Sequence, residues 1–474
     1  MCCKRFMLFA IVLVALSVTG CGRENDLLNS RDPVEIIIWH HYTGIGQNAF
    51  YDLISIFNET VGMDENIVVR AIGIGSVRDI EIAVSSSVRQ EVGSLDLPNI
   101  FMSFPDTAYT AKRYGLLVNL DDYFSSDELE RYFPPFIERG RIGFNNELHI
   151  FPAAMSTEVL MLNHTDWLPF AAETGVTYSD LETIEGVVRV ASIYYEWSGG
   201  RAFFGRDQFA NLFVIGSKQF GVDIKILDGE SVVVNVDKDV MRRIWDTYYV
   251  PRIRGYFAAY GRFRSEDLRV GDVIAYSGSN VSAAFFPDFV TTDDVNRDIV
   301  GKALPAPIFA EGENVMVQQG AGMVIVKSTT EKQSASSIFL RWFTEPEQSI
   351  RFSALSGHLP VKTEIMDYAL IRQNAIENDL YLTDITDAAL RVALEGINAG
   401  AIMYTPPSSF AGAVAARGVL YNHLRDKARR DRAAVVELIQ GGTPREEAIA
   451  QFNTDENFEA WLYDFTAQLQ YAAK

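Results

Sequence analysis

The chain is 474 residues long, with 42 Lys and Arg against 62 Asp and Glu and a formal net charge of −20. So acidic a protein lacks a basic face for nucleic-acid phosphates or for adsorption to an anionic lipid surface, so neither is expected as a partner. With 48% hydrophobic and 12% aromatic residues it has ample material for a core, which excludes disorder, and its length suits two or three domains.

Met1 to Arg5 carries two basic residues, Phe6 to Val18 is almost wholly apolar, and Thr19-Gly20-Cys21 follows, the layout of a secretory signal. The apolar run is too short to cross a hydrocarbon core of ~30 Å. Val18-Thr19-Gly20-Cys21 resembles the bacterial lipobox, which implies a lipoprotein signal peptide over 1–20, lipid on Cys21, and a polar tether over 21–33. Two or three acyl chains, at ~0.8 kcal/mol per buried CH₂, anchor a protein stably. Cys2 and Cys3 leave with the signal, so the mature body has no cysteine and neither disulfides nor thiolate metal sites are expected. No later stretch is apolar enough to span a membrane, leaving the lipid as the expected membrane attachment.

Val34 to Trp39 is a β-branched run feeding a loop at His40 to Gly44. Phe50, Leu53, Ile54 and Phe57 then recur at helical spacing. Ile67 to Ile72 predicts a strand, Val77 to Val88 a helix, and Asn99 to Ser103 a third strand. Pro105 to Tyr114 predicts a short helix closed by Gly115. Strand and helix alternating over short connections imply right-handed βαβ units and a mainly parallel sheet. Leu148 to Ala153 and Glu158 to Leu162 look like strands. Val187 to Trp197, Asp207 to Phe220 and Val240 to Tyr249 look like helices, with a strand at Val232 to Val236. Leu268 to Tyr276 runs from a helix end into a strand, with Ser277 to Asn280 as the loop after it. Gly322 to Lys327 is a strand, Ala335 to Phe343 a helix, and the last hundred residues carry only helical patterns.

Several segments in this order resemble the extracellular solute-binding proteins of bacterial ABC importers, in the carbohydrate-type group of maltose-binding and glycerol-3-phosphate-binding proteins. They are Ile38-Trp39-His40-His41-Tyr42, Leu97 to Ser103 with Tyr114 to Leu120, Phe151-Pro152 through Asn163, Gly271 to Ala275, and Phe339 to Thr344 with Ser356 to Val361. The resemblance implies an α/β, type II periplasmic-binding-protein fold of two lobes, each a mainly parallel sheet flanked by helices, with extra C-terminal helices. Lobe 1 is expected over 34–155 plus 318–358, and lobe 2 over 156–317 plus 359–474. It also implies a lipid-anchored receptor on the extracytoplasmic side, acting as a monomer, that captures a sugar or oligosaccharide and delivers it to ABC permease subunits. A polyol phosphate such as glycerol phosphate is the alternative ligand.

Ligands of open α/β sheets sit beyond the carboxyl ends of strands, where helix N-termini offer N–H groups. That rule and the resemblance select the same loops. Trp39, His40 and Tyr42 follow the first strand and offer aromatic platforms for a sugar face, unless Trp39 is core. Ser103 and Asp106 follow the third, although Asp106 also suits a helix cap. Ser156 lies at the crossover. Ser277 and Ser279 lie in a loop that touches ligand in the family. Arg206 could meet an anionic ligand or form an exposed pair with Asp207, and Trp197 is a further platform. Gln319, Gly320 and His358 lie where the chain returns between lobes. Nothing resembles a catalytic set, and no cofactor is expected. The six histidines are scattered apart from His40-His41, whose side chains face opposite ways on a strand, so no metal is expected. Carboxylates are numerous enough to leave a glycosidase pair open, as is a surface interaction protein that reuses the fold.

Overall fold

The computed structural model describes residues 32–143, 145–228, 231–292, 294–407 and 410–474; the leader, Cys21 and nearly all of the expected tether lie outside them. Two four-stranded sheets are built from β1 (Val34–His40), β2 (Ile67–Gly73), β3 (Ile100–Ser103), β4 (Glu158–Asn163), β5 (Phe204–Arg206), β6 (Ala275–Ser279), β7 (Gly301–Pro305) and β8 (Gly322–Ile325). The first has the order β8-β3-β1-β2 and the second β7-β4-β6-β5. In the first, β1 is parallel to β2 and β3, while β8 is antiparallel to β3. In the second, β6 is parallel to β5, but β4 runs against both β6 and β7. One strand in each sheet is reversed, leaving two parallel pairings of three in the first and one of three in the second, and the reversal has a physical cause. β4 and β8 are the strands by which the chain enters from the other lobe. They begin at the edge facing that lobe and must run away from it.

The hydrophobic pattern sets the layers. Ile36 and Ile38 of β1 are fully buried beneath α1 (Gly44–Glu59), whose buried stripe is Ala49, Phe50, Leu53, Ile54 and Phe57. α2 (Val77–Val88) starts at a capping box, in which Ser76 and Asp79 each bond the other's backbone N–H. α3 (Pro105–Arg113) and α4 (Pro134–Gly140) both open with proline, whose missing N–H costs nothing in a first turn. α5 (Phe209–Gln219) covers the second sheet. α6 (Thr330–Phe343) and α7 (Pro346–Ser356) return to the first, where Phe57 meets Phe339 at 5.2 Å. α7 ends at Gly357, whose φ of +75° and 2.8 Å approach of a built Cβ to Thr386 both call for glycine. α8 (Asp384–Asn398) packs on β7, while α9 (Ala413–Gln440) and α10 (Asp455–Ala472) cover the second lobe through Phe213, Trp461 and Phe465.

Three sequence expectations differ from the structure. Only Glu147–Leu148 of the run to Ala153 is strand, because the N–H groups of His149 and Ile150 both bond Gly140 O and Pro152 has none to give. Ser277 to Ser279 belong to β6, and the following helical turn begins at Asn280. The C-terminal region also holds one strand, Ile402–Tyr404, paired in parallel with Val315–Val317. Three residues are too few to show a period. Among the described residues no helix is long and apolar enough to cross a membrane.

The lobes are stitched where the chain crosses. Ser156 pairs with Gln319, and Met155 with Leu359, as antiparallel bridges. Asn280, fully buried, exchanges bonds with the backbone of Thr157 and donates to Gly357 O at 2.8 Å. One side chain therefore ties the second sheet to the turn after α7.

Candidate binding cleft between the two sheets

The carboxyl end of β3 meets lobe 2 at three charged side chains. Asp106 is not the cap expected for it, because the helix opens earlier, at Pro105, with Phe104 at the cap position; it lies inside the first turn of α3, accepts from Thr107 N–H at 2.9 Å and pairs with Arg417 of α9 at 3.0 Å. Arg417 reaches Glu81 of α2 at 2.9 Å as well. A residue of the C-terminal helices thereby joins two carboxylates of the first lobe. Phe104 lies between cations: the Arg139 and Arg417 guanidinium carbons are 5.9 Å and 5.5 Å from its ring centre. Arg139 donates to Gly320 O from Nη1, but its buried Nε has no partner among the described residues. Lys225 is 3% exposed, with its ammonium 5.4 Å from the Phe410 ring centre. Burial pushes Lys225 down to about 8 and Arg139 down to about 10.

Across the cleft, Glu158 at the start of β4 accepts from Arg206 at 2.8 Å, Asn211 at 2.8 Å and Gln319 at 3.5 Å. Arg206 thus pairs with Glu158, and the pair is buried, in place of an exposed pair with Asp207. Asp207 instead accepts from Arg264 N–H at 2.8 Å, and burial pushes its carboxyl up to about 6. Ser277, beside Arg206 in register, has a buried hydroxyl with no partner among the described residues, as does the Gln318 amide nitrogen. Ser279 caps the turn after β6 through Val281 N–H. Ser103 bonds Phe104 O, and Ser156 meets Gln319 through backbone alone.

The aromatic platforms expected after the first strand are packed away. Trp39 is 3%, His40 0% and Tyr42 5% exposed. Tyr42 sits among Phe50, Phe352 and His358 at ring distances of 5.1, 5.3 and 5.4 Å. The loop after β1 turns directly into α1, and α7 covers the turn, so these rings join the core instead of lining an open wall. His358 is buried too, with Nδ1 2.9 Å from Ser356 Oγ. Burial pushes His40 and His41 down to about 4 and His358 down to about 3. Trp197 donates to Glu173 at 2.7 Å and packs on Phe170 and Tyr194, apart from the cleft residues. The sequence reading missed Phe104, Arg139, Glu158, Lys225 and Arg417. One signal for Arg417 was present: it is the first charge after the small-residue run Gly412 to Ala416, the pattern of a helix end pressed against another element.

Residues 53–378 match the model of the bacterial extracellular solute-binding protein family. No curated protein sequence matches the chain. Among solved structures it is similar to a cyclic alpha-maltosyl-1,6-maltose binding protein from Arthrobacter globiformis, with TM-score 0.65 and 16% identity over 93% of this chain and 100% of that one. It is similar to a Mycobacterium tuberculosis protein in complex with glycerophosphocholine, with TM-score 0.62 and 18% identity over 93% and 99%. A solute-binding protein from Agrobacterium radiobacter K84 in complex with ribitol gives TM-score 0.63 and 14% identity over 93% and 99%.

Proposed function

Because the chain belongs to the bacterial extracellular solute-binding protein family, whose members bind solutes rather than convert them, we propose that it captures a sugar, oligosaccharide or polyol between its lobes and hands it to the permease of an ABC importer. The lobes are 34–155 plus 318–358 and 156–317 plus 359–474, and Cys21 carries the lipid that keeps a monomeric receptor near the permease. The observation that carries the reading is a set of buried polar atoms without partners among the described residues near the crossover between the two sheets: Arg139 Nε, Ser277 Oγ and Gln318 Nε2. Buried donors are ordinarily satisfied, and a hydroxyl-rich solute would satisfy these. The cyclic maltosyl-maltose, glycerophosphocholine and ribitol of the similar structures support this solute class. Asp106, Ser277, Ser279, Gln319 and Gly320 then form the polar walls. Ser103, Ser156 and Arg206 hold those walls in place, and Trp39, His40, Tyr42 and His358 form a packed floor. Trp197 lies outside.

Closure on a solute shifts the population toward the form the permease recognises. A panel of sugars, oligosaccharides and polyol phosphates is expected to contain a member that raises the melting temperature, since a ligand at 100 times its Kd adds about 2.7 kcal/mol of stability. A flat response across the panel would sink the reading. For the anchor, mass spectrometry of the mature N-terminus is expected to find acyl chains on Cys21, and Cys21→Ala is expected to appear in the medium; an unmodified cysteine would refute it.

A further inference from the structure

The charges at the cleft do not balance. Arg139 of α4, Arg417 of α9 and Lys225 of the strand Lys225–Asp228 come from three distant parts of the chain. Facing them are two carboxylates, Asp106 and Glu81; both are ion-paired to Arg417, and Asp106 is also the one carboxylate whose charge reaches Arg139 and Lys225. Among the described residues Arg139 bonds only a backbone carbonyl, Gly320 O, and its Nε bonds none. The Lys225 side chain makes no hydrogen bond or ion pair among the described residues; its ammonium faces the Phe410 ring and feels Asp106 and Arg417 with opposite signs. The adjacent Arg206 is already matched by Glu158. The result is a surplus of positive charge in a buried place, inside a protein whose net charge is −20.

Such an arrangement is costly. An ammonium removed from water loses far more than a ring face at this distance returns, and a buried cation without a counter-ion is among the most destabilising features a core can carry. Burial pushes both Lys225 and Arg139 down, and the one carboxylate that reaches them, Asp106, offsets only part of that. A structural role would be filled better by an aliphatic side chain. A role in binding explains the charge, because the solute brings the counter-ion.

We propose that the solute bears an anionic group, a carboxylate or a phosphate, seated between Arg139 and Lys225 beside the Phe104 ring. This rests on the cleft being the solute site. Arg417 closes the pocket from lobe 2, so the anion would touch both lobes at once. Its guanidinium is already bonded to Asp106 and Glu81, which holds it in place although Lys225 repels it.

The test uses the mature protein and calorimetric titration with matched pairs: a neutral oligosaccharide and its uronic-acid counterpart, a polyol such as ribitol and its phosphate, and inorganic phosphate alone. Acidic members are expected to bind at least tenfold more tightly than their neutral counterparts, with the uronate and phosphate arms telling the two anions apart. Lys225→Met is expected to weaken the acidic member by 10- to 100-fold while leaving the melting temperature of the free protein unchanged or raised. A lysine held for structure would lower it. Should the variant fail to fold, the wild type still decides. Uronate binding at pH 8, measured in two buffers of different ionisation heat, is expected to take up protons as Lys225 regains its charge beside the anion. Equal affinity for neutral and acidic counterparts, full acidic affinity in Lys225→Met, or no proton uptake overturns the anionic site while leaving the solute receptor standing. Binding to no member of the panel overturns both.

Discussion

Glu158→Ala is expected to lower the stability of the free protein by about 3–5 kcal/mol, the cost of leaving a buried cation unpaired. The side chains of Glu158 and Arg206 are 5% and 8% exposed. Glu158 also accepts from Asn211 and Gln319, so its removal strands three donors, and Arg206 Nε already lacks a partner among the described residues. An exposed pair gives the contrast: Arg70 and Glu35 are 66% and 47% exposed, and Glu35→Ala should cost under ~1 kcal/mol. Glu158→Gln keeps an acceptor for Asn211 but not the charge, and is expected to fall between. Urea midpoints at unchanged slope measure all three. Because Glu158 opens the strand that enters lobe 2 and Gln319 lies on the strand pair that leaves it, the ligand-induced rise in melting temperature should vanish with the same substitution. Equal midpoints for wild type and Glu158→Ala would refute the account.

Acid is expected to act almost as strongly, and well above the usual carboxylate range. His40 and His41 are held at about 4 and His358 at about 3, against 6.5 in an unfolded chain. Above pH 6.5 both states are neutral at these sites and stability does not depend on them. Between 6.5 and 4 the unfolded chain takes up protons that the folded one refuses, so stability falls as pH falls. Holding one histidine at about 4 is worth on the order of 3 kcal/mol by the low end of that window. Asp207 works the other way: with its folded carboxyl at about 6 against 3.8 unfolded, it gives back roughly one histidine's worth as pH drops. The three histidines surround Tyr42, at ring distances of 5.9, 5.4 and 5.4 Å, and none has an ion-pair partner among the described residues. Urea midpoints at pH 7.5, 6.5, 5.5 and 4.5 should be flat over the first step and fall steeply over the last two, with His358→Asn flattening the slope. A level profile from 7.5 to 4.5 would count against the buried cluster.

The fold was legible because its signals are local. The β-branched run of Val34 to Trp39, the helical spacing of Phe50 to Phe57 and the proline at the start of α3 each declare an element within a few residues. Asp106, Ser277, Gln319 and Gly320 were legible as cleft candidates because the strand-end rule is also local. Which way a ring points after a strand is not. Trp39, His40 and Tyr42 would read identically facing a cleft or a core, and the covering helix α7 lies some three hundred residues on. Charge partners are longer-range still. Arg417 finds Glu81 and Asp106, and Arg206 finds Glu158 rather than its neighbour Asp207, through tertiary placement that no spacing encodes.

The reversed strand β8 sets a clock on folding. It pairs with β3, more than 200 residues earlier, and closes the edge of the first sheet beside strands made near the start of the chain. Until it arrives, Phe101 and Met102 have a strand neighbour on one side only, and the loop to be closed includes the whole first segment of lobe 2. Contacts of such sequence separation slow folding, because loop entropy is spent before any pairing is gained. The sheet edge at β3 is therefore the last part of the first lobe's sheet to close during synthesis.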